Sequence, residues 1–352
     1  MHATLAFARD LCTLPMTVSF SGLCASLLVL IAAPAALAYD PPNAATVAVD
    51  EKKFADDLAR DGGPDAAETL AILAKARFQQ TIVDAISRPA ESKTWRDYRP
   101  IFLTDRRIND GIAFYRANEA LLKRVEQETG VPATLVTAII GVETSYGRVS
   151  GRYRVLDALT TLAFYYPPRA DFFRSELRQL FLLHGANFPT PIDTLMGSYA
   201  GAMGWGQFMP SSIARYGKDE DGDGVIDLWH SLPDIVGSVA NYFVGYGWQR
   251  DQPVAFRASV SANARAITPD GLKAVYPLQQ LKEWGYSINE KVDPATLATI
   301  IHLEGEDGPE VWVTFNNFFV ISRYNRSPLY SLAAWQLSAE IANGVGAKSP
   351  AQ

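Results

Sequence analysis

Cysteine is nearly missing from this chain. Only Cys12 and Cys24 occur among 352 residues, and both lie near the N-terminus. A disulfide framework in the remainder is thereby excluded. Positive charge is not in excess either. The formal net charge is −6, so there is no global basic field to hold nucleic acid, and any ligand must be held by a specific groove. Beyond residue 38 no apolar run is long enough to span a membrane. Internal repeats are absent, and so are low-complexity segments outside the leader. The length allows one large core or about two to three subdomains.

The leader is the first thing present. Residues 18–38 are apolar, with Leu27-Leu28-Val29-Leu30-Ile31-Ala32-Ala33 at their centre, and end in Ala36-Leu37-Ala38. That is a secretory apolar segment with a small-residue cleavage site, so 1–38 is expected to be a signal peptide. Arg9 is the one clear positive charge before it, offset by Asp10. An uncleaved anchor helix is the alternative. Leu23 precedes Cys24, where lipidation uses a small residue, so a lipid anchor is not expected. The mature chain is expected to be exported, periplasmic and soluble.

Residues 39–50 are rich in Pro and Ala and are expected to be flexible. Helical periodicity follows to about Ile101, and 106–129 is expected to form one long amphipathic helix. Helices are also expected over 155–166, 169–184, 233–246 and 328–343. Pro253-Val254-Ala255-Phe256-Arg257 and Val311-Trp312-Val313-Thr314-Phe315 alternate as strands do. These fix a mainly α (α+β) fold with a small β subdomain.

Glu143 is the most informative residue. It follows Leu135, Val136, Ile139 and Ile140, spaced for one helix face, so a carboxylate projects from a stripe that should be buried. Pro132 suits the first helical turn, and Gly147 is expected to stop the helix. Desolvation raises a carboxyl pKa, and a carboxyl still protonated near neutral pH can protonate a leaving group. An ion-paired glutamate at a helix end is the structural alternative.

Three further segments carry chemistry. Gly197 to Ser212 interleaves glycines with Tyr199, Met203, Trp205 and Phe208. Flat apolar side chains there can stack on sugar rings, and Ser198 and Gln207 supply hydrogen bonds; the alternative is a tight core crossing. Residues 219–230 place Asp219, Asp221, Asp223 and Asp227 at positions one, three, five and nine of an EF-hand-like loop. Gly224 stands at six and the Val225 carbonyl at seven. His230 replaces the bidentate glutamate expected at twelve, so the site is weak, or Asp234 completes it, or the loop is a solvated turn. Ser322 to Tyr330 is a polar rim or a helix start capped by Asn325 or Ser327.

Gly141-Val142-Glu143-Thr144, Phe164-Tyr165-Tyr166-Pro167, Ala200-Gly201-Ala202-Met203-Gly204, Gly206 to Ser212 and Tyr324-Asn325 occur in the order and spacing of one family. Together they resemble the lytic murein transglycosylase B family, from about Tyr98 to Tyr330. The resemblance implies a lysozyme-like helical core with an α domain and a small β domain. It divides the chain into an N-terminal α domain (39–105), a catalytic core (106–250), a β subdomain (251–322) and a C-terminal helical segment (323–352). It implies cleavage of the bond between N-acetylmuramic acid and N-acetylglucosamine in peptidoglycan, leaving a 1,6-anhydro end. Glu143 matches the family's single catalytic acid, acting first as acid and then as base.

Ser198 matches the residue that contacts the substrate acetamido group. Gln207, Tyr98, Tyr166, Tyr324, Asn325 and Tyr330 match groove residues, and Met203 and Phe208 match apolar groove lining. Pro168-Arg169 stands where the family can show two arginines, leaving Arg169 as the one contact to the peptide stem or lactyl carboxylate. The resemblance implies no cofactor for catalysis. The acidic loop leaves Ca2+ as a structural ion. Peptidoglycan strands are the expected partner of a monomer, with cell-wall synthesis or degradation proteins as candidate partners. A hydrolytic muramidase and a non-catalytic peptidoglycan-binding protein are the alternatives.

Overall fold

The computed structural model describes residues 42–87, 93–183, 188, 191–268 and 273–347. The leader, its cleavage site and both cysteines lie outside the described residues. The chain opens with α1 (Ala44–Arg60), α2 (Ala66–Leu73), α3 (Gln80–Ser87) and α4 (Trp95–Phe102). The expected flexible stretch is helical from Ala44, because the Asn43 side chain caps the Thr46 N–H and Val47 is buried.

The long helix expected over 106–129 is two, α5 (Asp105–Ala117) and α6 (Glu119–Thr129). Asn118 breaks it: its backbone leaves the helical region at φ −124°, and its side-chain amide donates to the Phe114 carbonyl. Then come α7 (Ala133–Thr144), α8 (Val155–Tyr165) and α9 (Ala170–Leu183), the last two joined by a 3-10 turn at Pro167–Arg169. Ten of the twelve α7 residues are buried, so this helix is surrounded rather than one-faced. Helices α10 (Pro210–Tyr216) and α11 (Leu232–Gly245) follow.

Two short strands, β1 (Tyr153–Arg154) and β2 (Met196–Gly197), pair antiparallel beside α8. The other strands fall between residues 255 and 315. They are β3 (Ala255–Arg257), β4 (Ser259–Val260), β5 (Tyr276–Pro277), β6 (Tyr286–Ser287), β7 (Leu297–Gly305) and β8 (Gly308–Phe315). The main sheet runs β3-β8-β7-β5, with every pairing antiparallel. β7 and β8 form a hairpin closed by Glu306-Asp307. Helix α12 (Leu278–Glu283) packs on this sheet over its own apolar cluster, which includes Phe256, Leu281, Ile300, Val313 and Phe315.

The strand pattern ends at Phe315, because α13 (Asn316–Ile321) starts there. The final helix is α14 (Pro328–Val345), capped by Ser327 with Pro328 in its first turn. It lies against α7, where a buried Ser338 hydroxyl donates to Thr134 Oγ1 at 3.0 Å.

Asp157 anchors the N-terminal helices to the core. This buried carboxylate accepts from Arg154 at 2.6 and 3.0 Å and from the Arg77 N–H at 2.9 Å. Removing one partner of a buried pair strands the other charge. Asp157→Ala is expected to cost about 3 kcal/mol and to lower the melting midpoint by roughly 5 °C. A thermal melt followed by circular dichroism checks this, and a midpoint unchanged within error would mean the anchor contributes nothing.

Candidate active site

Glu143 is the penultimate residue of α7. The helix stops at Thr144 rather than at Gly147, because Ser145 and Tyr146 both turn left-handed, with φ of 51° and 63°. Two consecutive non-glycine residues in that region cost about 1–3 kcal/mol each, so the surroundings must hold them. The Tyr146 hydroxyl donates to the Arg107 carbonyl at 2.8 Å. Its ring fills a slot between α5 and α7 that exists because residues 111 and 141 are glycine. A Cβ on Gly141 would lie 2.5 Å from that ring. The Trp205 indole lies as close to Gly147, where a Cβ would meet it at 2.3 Å. Thr144 completes the clasp. Its hydroxyl lies 3.0 Å from the Trp205 carbonyl and accepts from the Gly147 N–H at 3.1 Å.

The Tyr330 hydroxyl donates to Glu143 Oε1 at 2.5 Å. Tyr98 on α4 and Tyr324 before α14 are also near, since the Glu143 charge and burial together push both phenols up. Burial raises the Glu143 carboxyl to about 7, and the Tyr330 bond opposes that rise. No other carboxylate among the described residues acts on it. Asp157 is engaged as described above, and Asp171 is exposed beside Arg174. Glu176 is buried but occupied, accepting from the Ser211 N–H and hydroxyl at 2.9 and 2.7 Å.

The glycine-rich loop is pinned by antiparallel bridges from Gly197 to Met203 and from Met203 to Phe208. Ser198 Oγ accepts from the N–H groups of Ala200 and Ala202 at 3.2 and 3.0 Å, which leaves its hydroxyl proton to donate. Gln207, at φ 50°, gives its amide nitrogen to the carbonyls of Ser150 and Gly204. Among the described residues its side-chain oxygen has no such bond. The Tyr324 hydroxyl donates to the Gly206 carbonyl at 2.8 Å, joining the C-terminal segment to this loop.

Met203 is fully buried and supports the loop from beneath. Phe208, though almost wholly covered, lines a cavity of about 550 Å³ with Gln207, Tyr324 and Arg169. Tyr166 is half-buried at the start of the 3-10 turn, and Asn325 is exposed in the turn before α14.

The acidic loop keeps carboxylate oxygens of Asp219, Asp221 and Asp223 within 4.8 Å of one another. Hard oxygens so grouped suit Ca2+. Asp227 turns toward its own end of the loop, accepting from the N–H groups of Trp229 and His230. The His230 ring is largely exposed, with Nδ1 3.1 Å from Asp227 Oδ2, and brings no carboxylate. Asp234 does not complete the site. It is buried, and its oxygens accept from the N–H groups of Glu220 and Asp227 at 2.8 and 2.9 Å, tying the loop's ends together.

Residues 48–339 match the transglycosylase SLT domain family. The chain belongs to the lytic transglycosylase family. It is 37% identical to membrane-bound lytic murein transglycosylase B of Escherichia coli K12 over 302 residues, covering 83% of this chain and 82% of that protein. The soluble lytic transglycosylase SltB1 of Pseudomonas aeruginosa superposes with a TM-score of 0.79 at 42% identity, covering 85% of this chain and 100% of that one. Slt35 of Escherichia coli, solved in complex with calcium, gives 0.77 at 36% identity, covering 84% and 94%. This lytic transglycosylase therefore has the lysozyme-like fold and is an enzyme of peptidoglycan.

Sequence reasoning passed over Thr144 and Tyr146, although both lie within the motif around Glu143. Their only signal was adjacency, since the partners Trp205, Arg107 and Gly111 are distant in sequence. Tyr242 of α11 lines the same cavity as Phe208 and Tyr324. Nothing in helical periodicity separates a core tyrosine from one lining a cavity.

The raised Glu143 carboxyl has a stability consequence whose sign is fixed. From its ordinary value of 4.5 up to about 7, the folded state keeps a proton that the unfolded chain has released. Stability is therefore lost as pH rises through that window and stays lost above it. Glu143→Gln removes the cost, so it is expected to stabilise this transglycosylase by about 2 kcal/mol at pH 8 and by much less at pH 5. Urea denaturation at the two pH values measures the difference; equal effects at both would contradict a desolvated carboxyl.

Proposed function

We propose that Glu143 is the single acid–base group of a transglycosylation that cleaves the β-1,4 bond between N-acetylmuramic acid and N-acetylglucosamine. The observation that carries the reading is the carboxyl itself, raised to about 7 and bonded by Tyr330, with no second carboxylate among the described residues acting on it. Glycosidases that admit water pair two carboxylates across the scissile bond. Here the protonated Glu143 gives its proton to the glycosidic oxygen as the bond from the anomeric carbon breaks. The substrate's own acetamido oxygen supports the electron-poor anomeric carbon, and the spare Ser198 hydroxyl proton is suited to holding that group. The Glu143 carboxylate then takes the proton of the muramic acid 6-hydroxyl as O6 bonds to the anomeric carbon. No water is consumed, and Glu143 ends protonated.

Tyr98, Tyr166, Arg169, Gln207, Phe208, Tyr324, Asn325 and Tyr330 form the groove in this reading, with Met203 beneath it. The N-terminal α segment and the β subdomain flank the core, and the segment from 323 closes the groove. The apolar leader supports export to the periplasm.

Mass spectrometry of products released from purified peptidoglycan tests the chemistry. Disaccharide-peptides one water lighter than hydrolytic products are expected, and Glu143→Gln should release about a thousandfold less. Reducing-end products would make the enzyme a muramidase. An active Glu143→Gln protein would remove Glu143 from the mechanism.

In the same proposal, Asp219, Asp221, Asp223 and the Val225 carbonyl hold a structural Ca2+, with Asp227 reaching it through water. Slt35 in complex with calcium and the clustered carboxylates support this. A ligand bound only by the folded state stabilises it. Millimolar calcium is expected to raise the melting midpoint by about 2–4 °C, and chelator should reverse the rise. A midpoint indifferent to calcium would leave the loop a solvated turn.

A further inference from the structure

Arg107 lies in the first turn of α5, where the Thr104 hydroxyl oxygen accepts from its N–H at 3.2 Å. Its carbonyl accepts from the Tyr146 hydroxyl at 2.8 Å. Its side chain reaches elsewhere. One guanidinium nitrogen donates to the Ile101 carbonyl at 2.8 Å, and another lies 3.5 Å from Ser145 Oγ. The group also lies over the Phe102 ring, 5.3 Å from its centroid. One residue therefore touches both the last turn of α4 and the left-handed pair that follows Glu143.

The Arg107 guanidinium is half-buried, and among the described residues it meets no carboxylate. Asp110, one turn further along α5, is taken by Arg148. Burial, and then the Arg148 charge, lower the proton affinity of Arg107. Covering a cation without an ionic partner is costly. What surrounds this one is a carbonyl, a hydroxyl and a ring, which suit a clamp.

Helix α4 is short and needs one. Pro100 inside it removes a helical N–H, and the last carbonyls of any helix lack partners within it. Arg107 supplies the partner for Ile101. At the other end Trp95 is buried, and Arg99 Nε donates to Gln336 of α14 at 2.8 Å. Tyr98 lies between these anchors. Phe102 packs against it with ring centroids 5.1 Å apart, and the Glu143 charge reaches its phenol.

We propose that Arg107 is a positioning residue of the reaction, holding Tyr98 and the Ser145-Tyr146 turn in one register around Glu143. This rests on the reading of Glu143 as the acid–base group. Arg107 has no hydrogen bond to Glu143 among the described residues, so it acts through α4 and the turn. Without the clamp, the wall carrying Tyr98 and the turn move apart and water reaches the carboxyl. The proton of Glu143 is then lost at lower pH.

The test is steady-state turnover of soluble, uncrosslinked glycan strands by the full chain. Arg107→Met keeps the apolar stem over Phe102 and removes the donors. It should lower kcat about tenfold while KM stays within about twofold. The alkaline limb of its kcat/KM profile should move down by about half a pH unit or more. Tyr98, Tyr324 and Tyr330 face Glu143 and keep their protons over this range, so the limb reports Glu143. Arg107→Lys, which still reaches one acceptor, should regain part of the rate. Arg107→Met combined with Tyr98→Ala should cost less than the two losses added, because the clamp then has less to hold. Thermal melts show which variants are folded at the assay temperature, and Arg107→Lys carries the comparison where Arg107→Met is not.

A kcat within about twofold of wild type, a limb that stays in place, or losses that simply add would overturn the positioning role. Glu143→Gln is assayed beside these variants. If it is fully active, the catalytic reading itself fails. If it is inactive beside a fully active Arg107→Met protein, only the role of Arg107 fails.

Discussion

The site depends on keeping one carboxyl group poorly solvated at the end of an apolar helix. Burial sets the direction: a charged Glu143 would lose water without gaining a cation, so the proton stays on to about pH 7. Its position adds to this. Glu143 is the second-last residue of α7, where the helix dipole presents its negative end and further disfavours a carboxylate. Tyr330 works the other way by donating to the charged form. The proposed reaction asks this group first to release a proton and then to recover one, and such a group is best held between opposing influences, near the pH at which it works.

Holding that carboxyl in place requires strain. The left-handed pair Ser145-Tyr146 turns the chain sharply away just after Glu143, and contacts from three directions keep it there. The Tyr146 ring occupies the slot beside Gly111 and Gly141, Thr144 clasps the Trp205 carbonyl, and the Trp205 indole covers Gly147. The residue types at Gly141, Thr144, Tyr146 and Gly147 follow from these contacts. Adding a methyl group at Gly141 would push on the aromatic ring that holds the turn, and through it on the carboxyl two residues away.

Most of the helices, and Glu143 itself, were legible in the sequence because local periodicity and a lone acid in an apolar run are local signals. The losses share a cause. The break at Asn118 depends on one side chain turning back to its own helix. The early helix start at Ala44 depends on a cap one residue before it. Asp234 had been a candidate ligand, but only the folded loop reveals that its oxygens are spent on Glu220 and Asp227. The cavity beside Phe208 also takes in Arg323 and Arg326, which no spacing rule connects to residues as distant as 169 and 207.

The acidic loop is also joined to the turn after Glu143, by a short and specific route. The Trp205 N–H donates to the Leu228 carbonyl at 2.9 Å, and the Trp205 carbonyl faces the Thr144 hydroxyl at 3.0 Å. One residue of the glycine-rich loop therefore links the end of the 219–230 segment to the neighbour of Glu143. An ion held by Asp219, Asp221 and Asp223 would stiffen that segment from the far side of Leu228. Its influence would reach the reaction through the rigidity of the Trp205 strut, because no carboxylate of the loop contributes to the proton affinity of Glu143. The acidic loop is on this argument a brace for the turn, and the proton affinity of Glu143 is set by its burial on α7 and by Tyr330.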